Sequence, residues 1–386
     1  MYRKFLAIAF LGTLLFSCQE SQKQESSEYE EKSSDVVHVY ENPNPYPVSK
    51  ITSPGDGPVK NVIFMIGDGM SLMHAYSAWT ANKGKLFMEN ADFIGLQKTY
   101  CADKLITDSA ASGTAMATGK KTNKGYVGVG PDGESLKTIC EYASDKGLST
   151  GVIATCRLVD ATPADFSVEN IDRDKEEEIA ASYVDCGIDF ILGGGLKYFT
   201  KREDGKNLLP DFEKNGYQVV TSMEDLKNVT EGKVFAPVAD NDMAKPAERG
   251  DELWQGTKKA LDILSKDDDG FFLMVEGSMI DDYGHFNDLP LLMQEIADFD
   301  KTVGNVFEWA TTHPGTLVVV TADHETGGLT LVGGDIDEGK VEGNFSTTHH
   351  SGVMVPVYSF GPGAKDFAGI YENTDLFEKV KAALKL

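Results

Sequence analysis

Six short apolar runs constrain this chain more than any other feature. They lie at 62–66, 151–155, 190–192, 271–275, 317–321 and 355–360. None alternates apolar with polar as a half-exposed strand would, so each reads as a strand buried on both faces. Helical spacing fills gaps between them. Over 251–266, Leu253, Thr257, Leu261 and Leu264 share one face. After Pro290, the residues Leu292, Ile296, Phe299, Val303, Val306 and Ala310 recur by threes and fours. Doubly buried strands separated by helices predict an α/β fold, a three-layer α/β/α sandwich around a mostly parallel central sheet. Ligands of such sheets bind beyond the carboxyl ends of the strands. There is no internal repeat. Residues 198–250 break the pattern, being polar and rich in Gly, Lys and Asp, and are expected to form a small peripheral insertion.

Chemistry-bearing residues follow four of the six runs: Asp68, Asp160 after a short gap, Glu276 with Asp281, and Asp323 with His324. Asp281 and His285 are four apart, one turn if that segment is helical. His350 adds a third histidine whose neighbours suit a metal ligand. Asp and His together favour catalytic zinc, in which one coordination position stays open. Glu276, the Thr162 hydroxyl and a shared Asp68 suit a harder ion such as magnesium. Taken singly, each has a plainer reading: Asp-His can be a hydrogen-bonded turn, and Gly67-Asp68-Gly69 an ordinary tight turn. Together they describe a two-metal cleft able to hold the attacking and leaving oxygens of a phosphoryl transfer. The nucleophile candidate is Ser109, within the small-residue stretch 107–115, where a helix can start close to an anion. That stretch alone could equally be a helix packed tightly on the sheet.

Charge narrows the partners. The 386 residues carry 36 basic and 61 acidic side chains, a net −25, which repels nucleic acid and anionic lipid. An anionic substrate therefore needs a locally cationic site. No apolar run approaches the roughly 20 residues of a spanning helix. Arg3 and Lys4 precede the apolar stretch 5–16 and then Cys18, a pattern similar to the lipobox of bacterial lipoproteins. Residues 1–17 are thus expected to be a signal peptide and Cys18 a lipidated anchor on the periplasmic or cell-surface side. Residues 18–57 are expected to be a flexible tether: 19–35 hold six acids and two lysines without an aliphatic residue, and Pro43, Pro45, Pro47, Pro54 and Pro58 follow. Residues 58–386 form the expected catalytic domain. Cys101, Cys140, Cys156 and Cys186 allow three pairings or free thiols, and no CxxC suggests a thiolate zinc site.

Six segments, in order, carry a resemblance to the alkaline phosphatase family over residues 58–386: NVIFMIGDGM (61–70), TDSAASGTAMATG (107–119), DATPADF (160–166) with Arg173 beyond it, VEGSMIDDYGH (275–285), TADHETGG (321–328) and HSGVMVPVYSFGPG (350–363). The resemblance implies that Ser109 is a nucleophile forming a phosphoseryl intermediate. It implies one zinc on Asp281, His285 and His350, and a second on Asp68, Asp323 and His324. It also implies a magnesium on Asp68, Thr162 and Glu276, with Asp160 reaching it through water, and Arg173 gripping two phosphate oxygens. Three divalent ions with Arg173 outweigh the five carboxylates by two charges, which a phosphate-monoester dianion balances. Two departures stand out. Only 25 residues separate His324 from His350, too few for the crown insertion of some relatives, which leaves gating and dimer contacts open. Asp282 stands where some bacterial relatives have a lysine near the phosphate. The expected activity is a phosphomonoesterase at alkaline pH, on small phosphate-monoester substrates, with a homodimer left open. The alternatives are a phosphodiesterase or sulfatase of the same superfamily, or a catalytically silent metal- or phosphate-binding lipoprotein. No Cys/Ser-x-Pro-x-Arg sulfatase motif occurs.

Overall fold

All six apolar runs form strands of one ten-stranded sheet in the computed structural model, which describes residues 36–386. The expected signal peptide, Cys18 and residues 19–35 lie outside the described residues. In chain order the first strands are β1 (His38–Glu41), β2 (Asn61–Gly67), β3 (Phe93–Lys98), β4 (Ser149–Arg157) and β5 (Phe190–Gly194). Next come β6 (Tyr217–Val219), β7 (Lys233–Pro237), β8 (Phe271–Gly277), β9 (Thr316–Thr321) and β10 (Glu325–Thr326). The last are β11 (Leu329–Asp335), β12 (Lys340–Phe345), β13 (His350–Ser351), β14 (Val355–Phe360) and β15 (Gly369–Glu372). The main sheet runs β15-β3-β14-β9-β2-β8-β4-β5-β7-β6. Only β14 opposes the rest, pairing antiparallel with both β3 and β9. A mostly parallel sheet is what the sequence predicts.

Successive side chains of β2 point to opposite faces, and both faces are buried. Ile63 and Met65 join one apolar cluster, beside the helices Glu252–Leu264 and Leu289–Thr312. Val62, Phe64 and Ile66 join the other, beside Ser109–Thr118 and Asn373–Leu384. The helices start where local chemistry places them. Asp288 accepts from Leu291 N at 3.1 Å, with Pro290 in the first turn, at the head of Leu289–Thr312.

Register brings the strand ends together. Ile66 pairs with Thr321 on one side and Glu276 on the other, and Glu276 pairs with Ala154. Residues just beyond this row, among them Asp68, Arg157, Ser278 and Asp323, therefore emerge along one edge of the sheet.

Two expectations need correction. Residues 198–250 sit at the sheet's edge but are part of the main sheet, not an addition outside it: β7 pairs parallel with β5, and β6 closes that edge. Their core is aromatic, with Phe212 stacked on Phe235 at 3.6 Å and Phe199 against both, so a few large side chains secure an otherwise polar segment. The tether expected over 18–57 does not extend to 57. From His38 onward the chain is part of the folded unit 38–386. β1 pairs antiparallel with β12, Tyr46 donates to Asp300 Oδ2 at 2.7 Å, and Ile51 is buried. Prolines stiffen this stretch but do not stop it from lying along the surface. Among the described residues no helix is long and apolar enough to cross a membrane. Cys101, Cys140, Cys156 and Cys186 are all free thiols.

Candidate active site

Ser109 is the first residue of the helix Ser109–Thr118, whose ten residues are all buried. Asp108 caps it, accepting from Ala111 N at 3.1 Å. The small side chains let the helix lie close to its surroundings. At Gly113 a Cβ would come within 2.1 Å of Asp165 Oδ2, so no larger residue fits there. Ser109 Oγ lies 3.2 Å from Nε2 of His324.

His324 Nε2 is a point of convergence. Besides Ser109 it has Asp323 Oδ2 at 3.0 Å and Asp68 Oδ1 at 3.4 Å. Those two carboxylate oxygens are buried and have no hydrogen-bond partner. Asp68, Asp323 and His324 thus offer three ligand-type atoms within 4.8 Å of one another, an arrangement that fits a divalent cation. A second such group is Asp281, His324 and His350. His285 adjoins it, with Nε2 3.2 Å from Asp281 Oδ2 and 3.1 Å from His350 Nε2. The helix Met279–His285 puts Asp281 and His285 one turn apart. His350 arrives from far along the chain. The hairpin β11–β12 returns, β13 pairs with β10, and Thr326 faces His350 across that pair. Backbone carbonyls then orient the rings: His350 Nδ1 lies 2.9 Å from Thr107 O, and His285 Nδ1 2.7 Å from Thr348 O.

The remaining acids gather on the other side of Asp68. Thr162 donates to Asp68 Oδ2 at 3.3 Å, and Glu276, next to last in β8, is fully buried. Asp160 caps the short helix Ala161–Asp165. Arg173 joins the two halves, with Nη1 3.2 Å from Asp108 Oδ2 and Nη2 3.0 Å from Asp160 Oδ1. Every site residue expected from the sequence therefore falls in one connected cluster.

The electrostatics reflect crowded acids. Burial, then the charges of Asp323, Asp281 and Glu276, pushes the Asp68 carboxyl well up. Burial, then Asp160 and Asp323, does the same to Glu276. Burial opposes the charge on Asp281 too, but the His285 hydrogen bond and the neighbouring histidines outweigh it and hold that carboxyl low. His285 is raised to about 9, chiefly by its bond to Asp281. Burial lowers His350 to about 4. Asp282 is half-buried, and burial followed by the charges of Asp281, Asp160 and Asp242 raises it to about 6. A cluster of buried acids and histidines without enough positive charge is a site built for cations.

Several contributors lie within or near the segments that carry the resemblance but gain a role only from the fold. Thr326 donates a hydrogen bond to Asp281, and the neighbouring Glu325 accepts one from Ser351, beside His350. Gly69 has φ of 70°, and a Cβ there would meet Thr326 Oγ1 at 2.7 Å and Asp281 Oδ1 at 3.0 Å. That turn therefore requires glycine, both for its backbone and for its neighbours. Asp108 and Arg157 are also missed, since an N-cap acid and a strand-end arginine look ordinary in a sequence.

Comparison with known proteins agrees with this geometry. A family model described as alkaline phosphatase matches residues 59–342. Alkaline phosphatase 4 of Bacillus subtilis is 34% identical, over 82% of this chain and 87% of its own length. Streptomycin-6-phosphate phosphatase of Streptomyces griseus is 32% identical, over 86% and 92%. The solved alkaline phosphatase of the Antarctic bacterium TAB5 superposes with a TM-score of 0.82 at 38% identity, covering 85% of this chain and 99% of that one. A variant of the TAB5 enzyme, described with magnesium in its M3 site, gives 0.80 at 38% identity, covering 87% and 99%. With Ser109, the two ligand-type groups and Arg173 placed on this fold, the chain belongs to the alkaline phosphatase family.

Proposed function

We propose that the chain hydrolyses phosphate monoesters at alkaline pH through a phosphoserine formed on Ser109. The observation that carries this reading is Ser109 Oγ beside His324 Nε2, at the edge of the Asp68–Asp323–His324 group. Ser109 Oγ bonds to phosphorus as the ester oxygen leaves with its alcohol. Water then attacks the same phosphorus, and Ser109 is released with inorganic phosphate. The free N–H groups at the helix start and the Arg173 guanidinium face the anion and hold its non-bridging oxygens.

The ligand set suits two zinc ions and one magnesium per chain. Asp281, His285 and His350 would hold one zinc, and Asp68, Asp323 and His324 the other. Asp68, Thr162 and Glu276, with Asp160 beside them, would hold magnesium. When bound, these ions supply positive charge that stabilises the serine alkoxide and the leaving oxygen. The names of the relatives above support a monoesterase. The direct test offers one aryl group as phosphate, sulfate and phosphodiester to the same preparation. Phosphate is expected to turn over by far the fastest; preferred sulfate or diester hydrolysis, or no hydrolysis at all, would overturn the reading.

Asp282 is expected to weaken the hold on phosphate. Its half-buried carboxyl feels first the charge of Asp281, then those of Asp160 and Asp242, and so stands beside the acids of the cluster. Exchanging it for lysine changes the local charge by two units at about 6 Å, several kcal/mol at an effective dielectric near 20 before solvent screening. For a half-buried position roughly 1–2 kcal/mol survives. Asp282→Lys should then bind inorganic phosphate about tenfold tighter, turn over more slowly and need less added magnesium. Unchanged phosphate inhibition would show that Asp282 takes no part in phosphate binding.

We further infer export and lipid attachment at Cys18, from Arg3, Lys4 and the apolar stretch 5–16. Cys18→Ser is expected to give soluble exported protein with unaltered catalytic constants. A variant as membrane-bound as the original chain would show Cys18 to be incidental.

A further inference from the structure

We infer that Arg157 is a positioning residue for phosphate binding, acting on Arg173 through Asp160. This rests on the phosphatase reading above and adds a residue to it. Arg173 has both terminal nitrogens engaged: Nη1 with Asp108 and Nη2 with Asp160 Oδ1. A phosphate must share or displace those carboxylates to use the same donors, so the strength of Asp160's hold matters. Oδ1 also accepts from Ala161 N at 2.8 Å. The other oxygen, Oδ2, is 3.1 Å from Nη1 of Arg157. A second guanidinium on the far oxygen draws off part of the carboxylate's charge, and Arg173 is held in place without being held too tightly.

Arg157 is fixed for this task from two further directions. Its Nε donates to Glu176 at 2.8 Å. Asp242 Oδ1 accepts from the Arg157 backbone N at 2.9 Å and lies 3.3 Å from Nη1. Asp242 comes from the segment 198–250, and that loop is itself tied to the sheet, with Met243 N bonded to Thr155 O at 2.8 Å and Gly195 N to Asn241 O at 2.8 Å. The ion pairs thus run Asp108, Arg173, Asp160, Arg157, Asp242, from the cap of the nucleophile helix to the segment that closes the sheet edge. The segment 198–250 thus supplies the last acid of a chain of charges that ends at Ser109's neighbour.

The experiment measures binding of inorganic phosphate to the metal-loaded protein by calorimetry, with steady-state kinetics alongside. Arg157→Ala is expected to raise the phosphate Kd about tenfold, a discounted value because the pair is partly exposed, and to raise KM more than it lowers kcat. Arg157→Lys restores the charge without the fork and should stay within about threefold of the original protein. Asp242→Asn, which loosens Arg157 without removing it, should shift Kd in the same direction by less. In an Arg173→Ala background, Arg157→Ala should add no further loss, because its effect runs through Arg173. A Kd unchanged in Arg157→Ala, with only a lower Tm, would reduce Arg157 to a structural clamp and overturn the proposal. Should Arg157→Ala fail to fold, an unchanged Kd in Asp242→Asn overturns it equally. Full additivity with Arg173→Ala would refute the route through Asp160. If the unmodified protein neither binds phosphate nor hydrolyses its esters, the phosphatase reading itself fails, and this inference fails with it.

Discussion

Ser109→Ala is expected to lose at least about 10³-fold of turnover while keeping its metals and its fold. The loss is large because the variant has no oxygen to form the covalent intermediate, which leaves direct attack by water as the only route. The fold is expected to survive because the position opens a helix whose next two residues, Ala110 and Ala111, are already alanine and buried. Metal content should hold because both ligand-type groups are made of Asp and His side chains without Ser109. Arg173→Ala is expected to be milder, about 10- to 10³-fold, since each of its two charged hydrogen bonds to phosphate contributes roughly 1.5–3 kcal/mol and water can partly replace them. Turnover and metal analysis on the same samples check both variants. An active Ser109→Ala protein would remove Ser109 from the mechanism.

Stripping the divalent ions is expected to abolish turnover and to lower the Tm. Asp68, Glu276 and Asp323 are buried within reach of one another, and Asp68 and Glu276 are each destabilised by burial and by neighbouring carboxylates. Among the described residues the only arginine bonded to an acid of this cluster other than Arg157 is Arg173, which reaches Asp160 and Asp108 rather than Asp68 or Glu276. Without cations the buried acids must take up protons or repel one another, and either outcome costs stability. Treatment with a chelator, followed by calorimetric melting and assay, measures both effects, and zinc plus magnesium should restore both. Full activity in stripped protein would refute the metal assignment of all the ligand residues at once.

The parts of the fold legible in the sequence were those with both faces buried. β2, β8 and β9 are apolar throughout because each is sandwiched between helices, and few environments besides a doubly covered sheet produce that pattern. The direction of β14 was invisible, since its side chains pack the same way whether it runs parallel or antiparallel to β9. Strands at or next to the sheet's edges were harder still. β6 has three residues with only Tyr217 buried, and β3 opens on exposed Phe93 and Ile94, so neither carries the signal of a central strand. β1 alternates half-buried and exposed residues in a stretch whose prolines point to a tether.

The site was legible for a different reason. In-register parallel strands deliver the residues at their ends to one place, so the sequence alone groups Asp68, Glu276, Asp323 and His324. What remained hidden depends on contacts between distant segments. Arg157 ends a strand, Asp242 sits in a polar loop, and Thr326 lies on a two-residue strand, and only the folded chain brings them to Asp160 and Asp281.

The most direct test of the central claim is to trap the covalent intermediate. The metal-loaded protein is mixed with a phosphate monoester, quenched in acid during turnover, digested and mapped by mass spectrometry. The account predicts one phosphorylated peptide, spanning 107–119, with the phosphate on Ser109. Phosphate on any other residue, or an active enzyme that yields no phosphoprotein, would contradict it.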